Sequence, residues 1–214
     1  ELSRIVSMRS FGGSLVATSE LSTTVHEGNS TAYITVVVST SLMPLPEHPM
    51  RRRKEDWRVG YFTTQRLQFS DQQEAARKTN YITRWRLVPS DTTAYMRGEL
   101  TEPVTPITFY IDPAVPAKLR PWLKKGITDW NKAFERAGFK NAVRALDFPD
   151  SLKREGDDMK YSVLTYDASE KANAMGPSVT DPRTGEILEA DIIWWHNVQS
   201  LIREWLMVQT AATD

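Results

Sequence analysis

The sequence predicts an α+β protein, with a β-rich first part followed by a mixed α/β part. Three observations carry this. Through the first ninety residues, β-branched and aromatic residues alternate with period two, as in "TAYITVVVS". The period then lengthens to that of a helix in "RPWLKKGITDWNKAFERAGF" and again in "NVQSLIREWLMVQTAA". Short apolar runs between these helices give the order strand, helix, strand, strand, hairpin, helix. The expected division is a β-rich domain over 1–92, a linker over 93–106 and an α/β subdomain over 107–214.

In chain order, "RIVSMRS" and "SLVATSEL" read as strands separated by Gly12-Gly13. The next strand places Ala32, Ile34, Val36 and Val38 on one face, after a turn at Glu27-Gly28-Asn29. Arg51-Arg52-Arg53-Lys54 is the one charge run, and its neighbours Pro49, Glu55 and Asp56 favour a solvated loop over a basic docking patch. "RVGYFTTQRLQF" and "NYITRWRLV" are further strands. The second puts Tyr81, Thr83, Trp85 and Leu87 on one face. "SDTTAYMRGELTEPVTP" has no clean period and contains Gly98, Pro103 and Pro106, hence the expected linker.

"ITFYID" opens the second part as a strand. In the helix that follows, Pro121 suits the first turn. Trp122, Leu123, Ile127, Trp130 and Phe134 form an apolar stripe that predicts core packing. Gly138 fits a left-handed C-terminal position, with Phe139 as the hydrophobic contact just beyond. "NAVRAL" and "YSVLTY" are strands. "NAMGPSVT" and "EILEADIIWW" are the arms of a hairpin whose turn is Asp181-Pro-Arg-Thr-Gly185. Pro177 has no N–H for a ladder, so the first arm is an edge strand and the second lies further inside. Asn197 is the expected N-cap of the last helix, and Trp205 lies on its apolar stripe.

Composition narrows the chemistry. Lys+Arg and Asp+Glu each number 27, giving a formal net charge of +0, which argues against a nucleic-acid binder. No run is long and apolar enough for a membrane span. There are no cysteines, so disulfides and thiolate sites are excluded. The first residue is Glu, which reads as a processed chain from which a secretion signal could have been removed. His26, His48 and His196 are isolated, and a ligand role for His196 is disfavoured against packing at a strand–helix junction. Asp181, Glu186, Glu189 and Asp191 could hold a structural Ca²⁺, although Asp181 and Glu186 equally suit turn chemistry.

The segments "RVGYF", "ITFYIDP", "DWNKAFERAGFKNA", "NAMGPSVTDPRTGEILEADI" and "HNV", in this order, resemble bacterial zinc-dependent metalloproteases of the metzincin-like type. The resemblance runs from about residue 57 and is densest over 106–209. It implies a mixed sheet with an antiparallel edge strand and two helices, forming the N-terminal subdomain of a catalytic domain. It also implies that Ala174, Met175, Gly176, Pro177, Ser178 and Val179 pair with substrate backbone. In the family an H-E-x-x-H helix follows, with zinc on its histidines and its glutamate as general base. This sequence contains no H-E-x-x-H. The chain is therefore expected to be a truncated, inactive part, with no zinc of its own and no catalytic residues. The full-length protein would bind zinc. Its implied partners are a peptide or protein substrate and the remainder of the catalytic domain, and its implied location is secreted or periplasmic. Two other readings remain. One is a non-catalytic peptide- or glycan-binding module. The other is a pro-region or structural segment covering a protease cleft.

Overall fold

The computed structural model describes residues 3–11, 13–72, 74–150 and 158–210. At the coarse level the chain is α+β, as expected. It separates into two compact units, Glu1–Leu45 with Asp150–Lys160, and Pro46–Pro149 with Tyr161–Asp214.

The first unit is an antiparallel meander of β1 (Arg4–Phe11), β2 (Ser14–Glu27) and β3 (Ser30–Leu42). Glu27 pairs with Ser30, so Gly28 and Asn29 form a two-residue loop, with Gly28 at φ 58°. Burial is confined to one end. Val16 is fully buried, and the Ser14 hydroxyl donates to Asp158 Oδ1 at 2.6 Å. Tyr33, Ile34, Val36 and Val37 are exposed.

The second unit is built on a five-stranded sheet in the order β7-β6-β8-β12-β9. These strands are β6 (Ile107–Ile111), β7 (Val143–Asp147), β8 (Ser162–Asp167), β9 (Ala174–Met175) and β12 (Ile192–Trp195). The first four in that order run parallel, and β9 pairs antiparallel at the edge. Two smaller ladders join β4 (Thr63–Gln68) to β5 (Arg77–Ile82), and β10 (Ser178–Thr180) to β11 (Ile187–Ala190). Ile107, Ile111, Val115, Ile127, Val143 and Leu164 form the buried core. Alternate residues of parallel strands reach it on one face, and Ile127 meets it from the covering helix.

The expected helix over the 120s and 130s is two helices, α2 (Arg120–Thr128) and α3 (Asn131–Arg136). Local hydrogen bonding explains the interruption. The Thr128 hydroxyl donates back to the carbonyls of Lys124 and Lys125, a contact that bends helices. Asn131 then brackets Val143, donating to its carbonyl and accepting from its N–H, both at 2.9 Å, which ties the turn to the start of β7. The end of α3 is as expected. Phe139 N–H donates to Phe134 O and Gly138 N–H to Glu135 O, with Gly138 at φ 89°. The subdomain thus has α2, α3 and the final helix α4 (Val198–Thr210) instead of two helices.

The expected linker over 93–106 is folded into the second unit. Asp91 caps a short helix α1 (Thr92–Met96), accepting from Ala94 N–H at 2.9 Å. Thr101 then exchanges backbone bonds with Gly138 and Lys140. Nor does the division fall near 92. Arg84 N–H donates to Gly185 O, and Ile187 N–H donates to Arg84 O, so residues 46–90 are stitched to the hairpin turn. The structure draws the boundary at Leu45/Pro46 because long-range pairing, invisible in local composition, outweighs the turn residues between 90 and 106.

Trp122, Trp130 and Trp205 were expected to pack in the core, and all are exposed, at 71%, 66% and 58%. Their helical period fixes the face they share but not what lies against it.

Candidate functional site

Residues 174–179 form the outer strand of the hairpin, broken into two pieces. Ala174 pairs with Trp194 and Met175 with Ile193 in the large sheet. Ser178 pairs with Ala190 and Val179 with Glu189 in the small one. Gly176 and Pro177 make the break. Pro177 still turns its carbonyl inward to accept from Asp191 N–H at 3.0 Å, while the N–H it lacks is not needed by the inner strand. Among the described residues, the strand order leaves the other side of β9 without a partner strand, and β10 likewise. Ala174, Met175, Gly176, Pro177 and Ser178 are exposed, and Val179 is half-buried. This edge can take an extended backbone by strand addition.

The turn that follows is rigid for reasons that can be traced residue by residue. Asp181 N–H donates to Glu186 O, and Thr184 and Gly185 N–H both donate to Asp181 O. Gly185 sits at φ 78°, and a Cβ there would lie 2.5 Å from Ile82 O. The buried Asp181 carboxylate accepts from Arg183 through Nε, Nη2 and the backbone N–H. The Arg183 guanidinium holds the Asp181 carboxyl below its usual range, against the opposing effect of burial. Glu186 is gripped bidentately by Arg86, at 2.7 and 2.6 Å. These two carboxylates are thus committed to arginines. They do not join Glu189 and Asp191 around a Ca²⁺, and among the described residues no group of three or more His, Asp or Glu could hold a metal ion.

Glu189 and Asp191 form a second pair that the sequence reading did not resolve. Glu189 is buried, and among the described residues its Oε1 has no hydrogen-bond partner. Burial first, and then the charge of Asp191, push the Glu189 carboxyl up to about 8. Asp191 has a fixed task, accepting from Val163 N–H at 2.8 Å where β8 begins. The available signal was two carboxylates at i, i+2 inside an apolar strand, on the face that also carries Trp195.

At the far end of β12, Trp195 is buried and its indole N–H donates to Asp167 Oδ2 at 2.8 Å. Trp194 points the other way, with its Nε1 buried and, among the described residues, unpartnered. It lines an apolar trough of ≈ 640 Å³ with Trp85, Phe109, Trp122, Trp130 and Ile192. His196 lies at the strand–helix junction, hydrogen-bonded through Nδ1 to the Tyr166 hydroxyl and stacked edge-on to that ring. Asn197 O accepts the first helical N–H groups, but its side-chain amide donates to Glu170 O. His26 bonds Thr31 in the first unit, and the His48 carbonyl accepts from Arg86. The three histidines are thus on separate segments.

Compared with known proteins, residues 1–90 match the family model of a domain of unknown function, DUF5117. That span covers less than half of the chain and crosses from the first compact unit into the second. No curated protein and no solved structure matches the sequence. No helix among the described residues is long and apolar enough to cross a membrane.

Proposed function

We propose that residues 107–210 are the upper part of the catalytic domain of a secreted or periplasmic bacterial zinc-dependent metalloprotease. In this reading residues 174–179 bind the substrate backbone. The observation that carries it is the sheet order, four parallel strands flanked by one short antiparallel strand with a free edge. This is the arrangement that the metzincin-like resemblance implies, and the free strand is the one that it assigns to substrate. The trough supports the same reading. A face lined by Trp122, Trp130 and Trp194 beside an unfilled volume is the surface on which a further helix of a catalytic domain would pack. Zinc and the water-activating carboxylate belong, in this reading, to an H-E-x-x-H helix outside these residues. When bound there, the metal would supply the activated water. This chain's contribution is to hold the peptide extended and in register.

The test is the coding sequence after Asp214. An H-E-x-x-H within the next few tens of residues supports the reading, and its absence there overturns it. With that segment included, the folded, zinc-loaded protein should cleave members of a broad peptide library and lose that activity on chelation. A loaded protein that cleaves none refutes the assignment.

A further inference from the structure

Arg51-Arg52-Arg53-Lys54 is solvent-exposed, as expected, but its backbone is held in place. Ile82 N–H donates to Arg53 O and Glu55 N–H to Asn80 O, so the run lies extended beside β5. Arg52 stacks over the Tyr81 ring at 5.4 Å. This fixes Arg51 and Arg52 on the wall of a cavity of ≈ 590 Å³, whose lining also includes Arg66 from β4 and Arg183 and Thr184 from the hairpin turn. Four arginines from three segments therefore line one space.

Their charges are unequally neutralised. Arg183 has Asp181. Among the described residues, Arg66 donates to the carbonyl of Pro182 and has no carboxylate partner, nor do Arg51 and Arg52. The acids nearest in sequence are turned elsewhere, with Glu55 accepting from Asn80 and Asp56 paired with Arg58. Arg84 donates to Arg51 O. Its guanidinium is pushed below its ordinary value by burial and by the charges of Arg53 and Arg86. In a chain with 27 basic and 27 acidic residues, so local an excess invites an external anion. Arginine favours carboxylate and phosphate-like oxyanions because its planar fork meets two oxygens at once.

The cavity's place narrows the ligand. It shares Arg183 and Thr184 with the turn that directly follows β10. From Thr180 to Arg183 is three residues, at most about 10 Å of extended chain. A peptide lying antiparallel along β10 points its N-terminal end toward that turn. Base stacking, which single-stranded nucleic acid requires, has no platform here. No aromatic residue lines the cavity, and Tyr81 is buried beneath Arg52.

We propose that this arginine cavity binds acidic side chains on the N-terminal side of a peptide held along residues 174–180. It would thereby select for acidic peptides. The proposal rests on the peptide-binding reading of that edge and assigns it a substrate class. The test is fluorescence anisotropy at low ionic strength, with a labelled peptide carrying a run of glutamates followed by alternating Thr and Val. The same peptide with glutamines in place of the glutamates, and one N-methylated along its Thr-Val half, are the comparisons.

The glutamate peptide should bind about tenfold more tightly than the glutamine peptide, and R51Q/R52Q should remove the difference. N-methylation should weaken both. Equal binding of the glutamate and glutamine peptides overturns the cavity assignment and leaves the edge reading standing. A glutamate preference that N-methylation does not touch establishes the cavity and overturns the edge reading. Binding of neither peptide overturns both. Tighter binding of a single-stranded oligonucleotide, lost in R51Q/R52Q, overturns the assignment to peptide.

Discussion

The three-stranded sheet of β1–β3 and the five-stranded sheet of the second unit differ in what lies against them. In the first, Ile34, Val36 and Val38 share a face with Leu21, and all remain exposed. In the second, Ile107, Ile111 and Leu164 meet Ile127 of α2 and are almost completely buried. Both have apolar residues at strand spacing. Period two therefore dictates the strand and its two faces, while burial is decided by whether another element of the same unit crosses that face. Stability in the second unit is concentrated in a few interlocked residues. In the first it rests on the ladder itself.

The sharpest way to break this contrast is to delete side chains on each sheet. Leu164→Ala leaves a cavity in the core of the second unit and should cost about 2–5 kcal/mol. Val37→Ala removes a side chain that is 67% exposed and should stay within about 0.5 kcal/mol. All seven tryptophans lie in the second unit, so the denaturant dependence of their fluorescence reports that unit. Hydrogen exchange of β2 and β3 amides reports the first. Equal losses from the two substitutions would mean that the first sheet has a covered face after all.

Glycines sharpen the same point at smaller cost. Gly28 and Gly185 both have positive φ. Around Gly28 a Cβ would meet nothing within 4 Å, whereas at Gly185 it would run into Ile82 O. Gly28→Ala should cost only the left-handed conformation, about 1 kcal/mol. Gly185→Ala adds a backbone clash at the seam between β5 and the hairpin turn and should cost about 2–4 kcal/mol. Comparable unfolding midpoints for the two variants would show that the turn can shift away from Ile82.

Which features were legible in the sequence follows the same division. Gly138 with Phe139, the turn ending in Gly185, and the edge position of the Pro177 arm are settled by a few neighbouring residues, and each is found as expected. Other features depend on partners distant in sequence. The run Arg51–Lys54 is solvent-exposed, as the sequence suggests, but its tie to β5 through Ile82 N–H and Arg53 O was not legible. Residues 93–106 read as a linker until Thr101 meets Gly138. Trp122, Trp130 and Trp205 mark apolar helix faces, and no local pattern states what covers them. For the candidate site, the edge strand 174–179 was legible, because proline announces it. The arginine cavity was not, because Arg51, Arg66 and Arg183 converge only through tertiary pairing.

A pH-dependent effect concerns Glu189, which faces a constraint that the first unit does not share. There the buried carboxylate Asp158 accepts from Ser14 and from Lys160 N–H. Glu189 has an unpartnered oxygen and Asp191 for a neighbour, and its carboxyl is raised to about 8, against an ordinary value of about 4.3. Between these values the folded state keeps a proton that the unfolded chain releases. Stability from this group is therefore full below about pH 4 and is lost as pH rises through 8. Asp181, whose carboxyl is held low by Arg183, has the opposite sign. Its contribution is present above the ordinary carboxylate range and is lost as pH falls through its lowered value. The second unit should thus weaken on both sides of a mildly acidic optimum. Glu189→Gln replaces the proton-bearing carboxyl by a neutral amide of the same shape and removes the alkaline loss. At pH 9 it should be more stable than the parent by about 1–3 kcal/mol, and near pH 4 within about 1 kcal/mol of it. Urea titrations read by tryptophan fluorescence across that range decide the matter. If the parent and Glu189→Gln lose stability in parallel between pH 4 and 8, then Glu189 is ionised in the native protein. A counter-charge must then lie beside its free oxygen, and the pairing with Asp191 is not what sets its state.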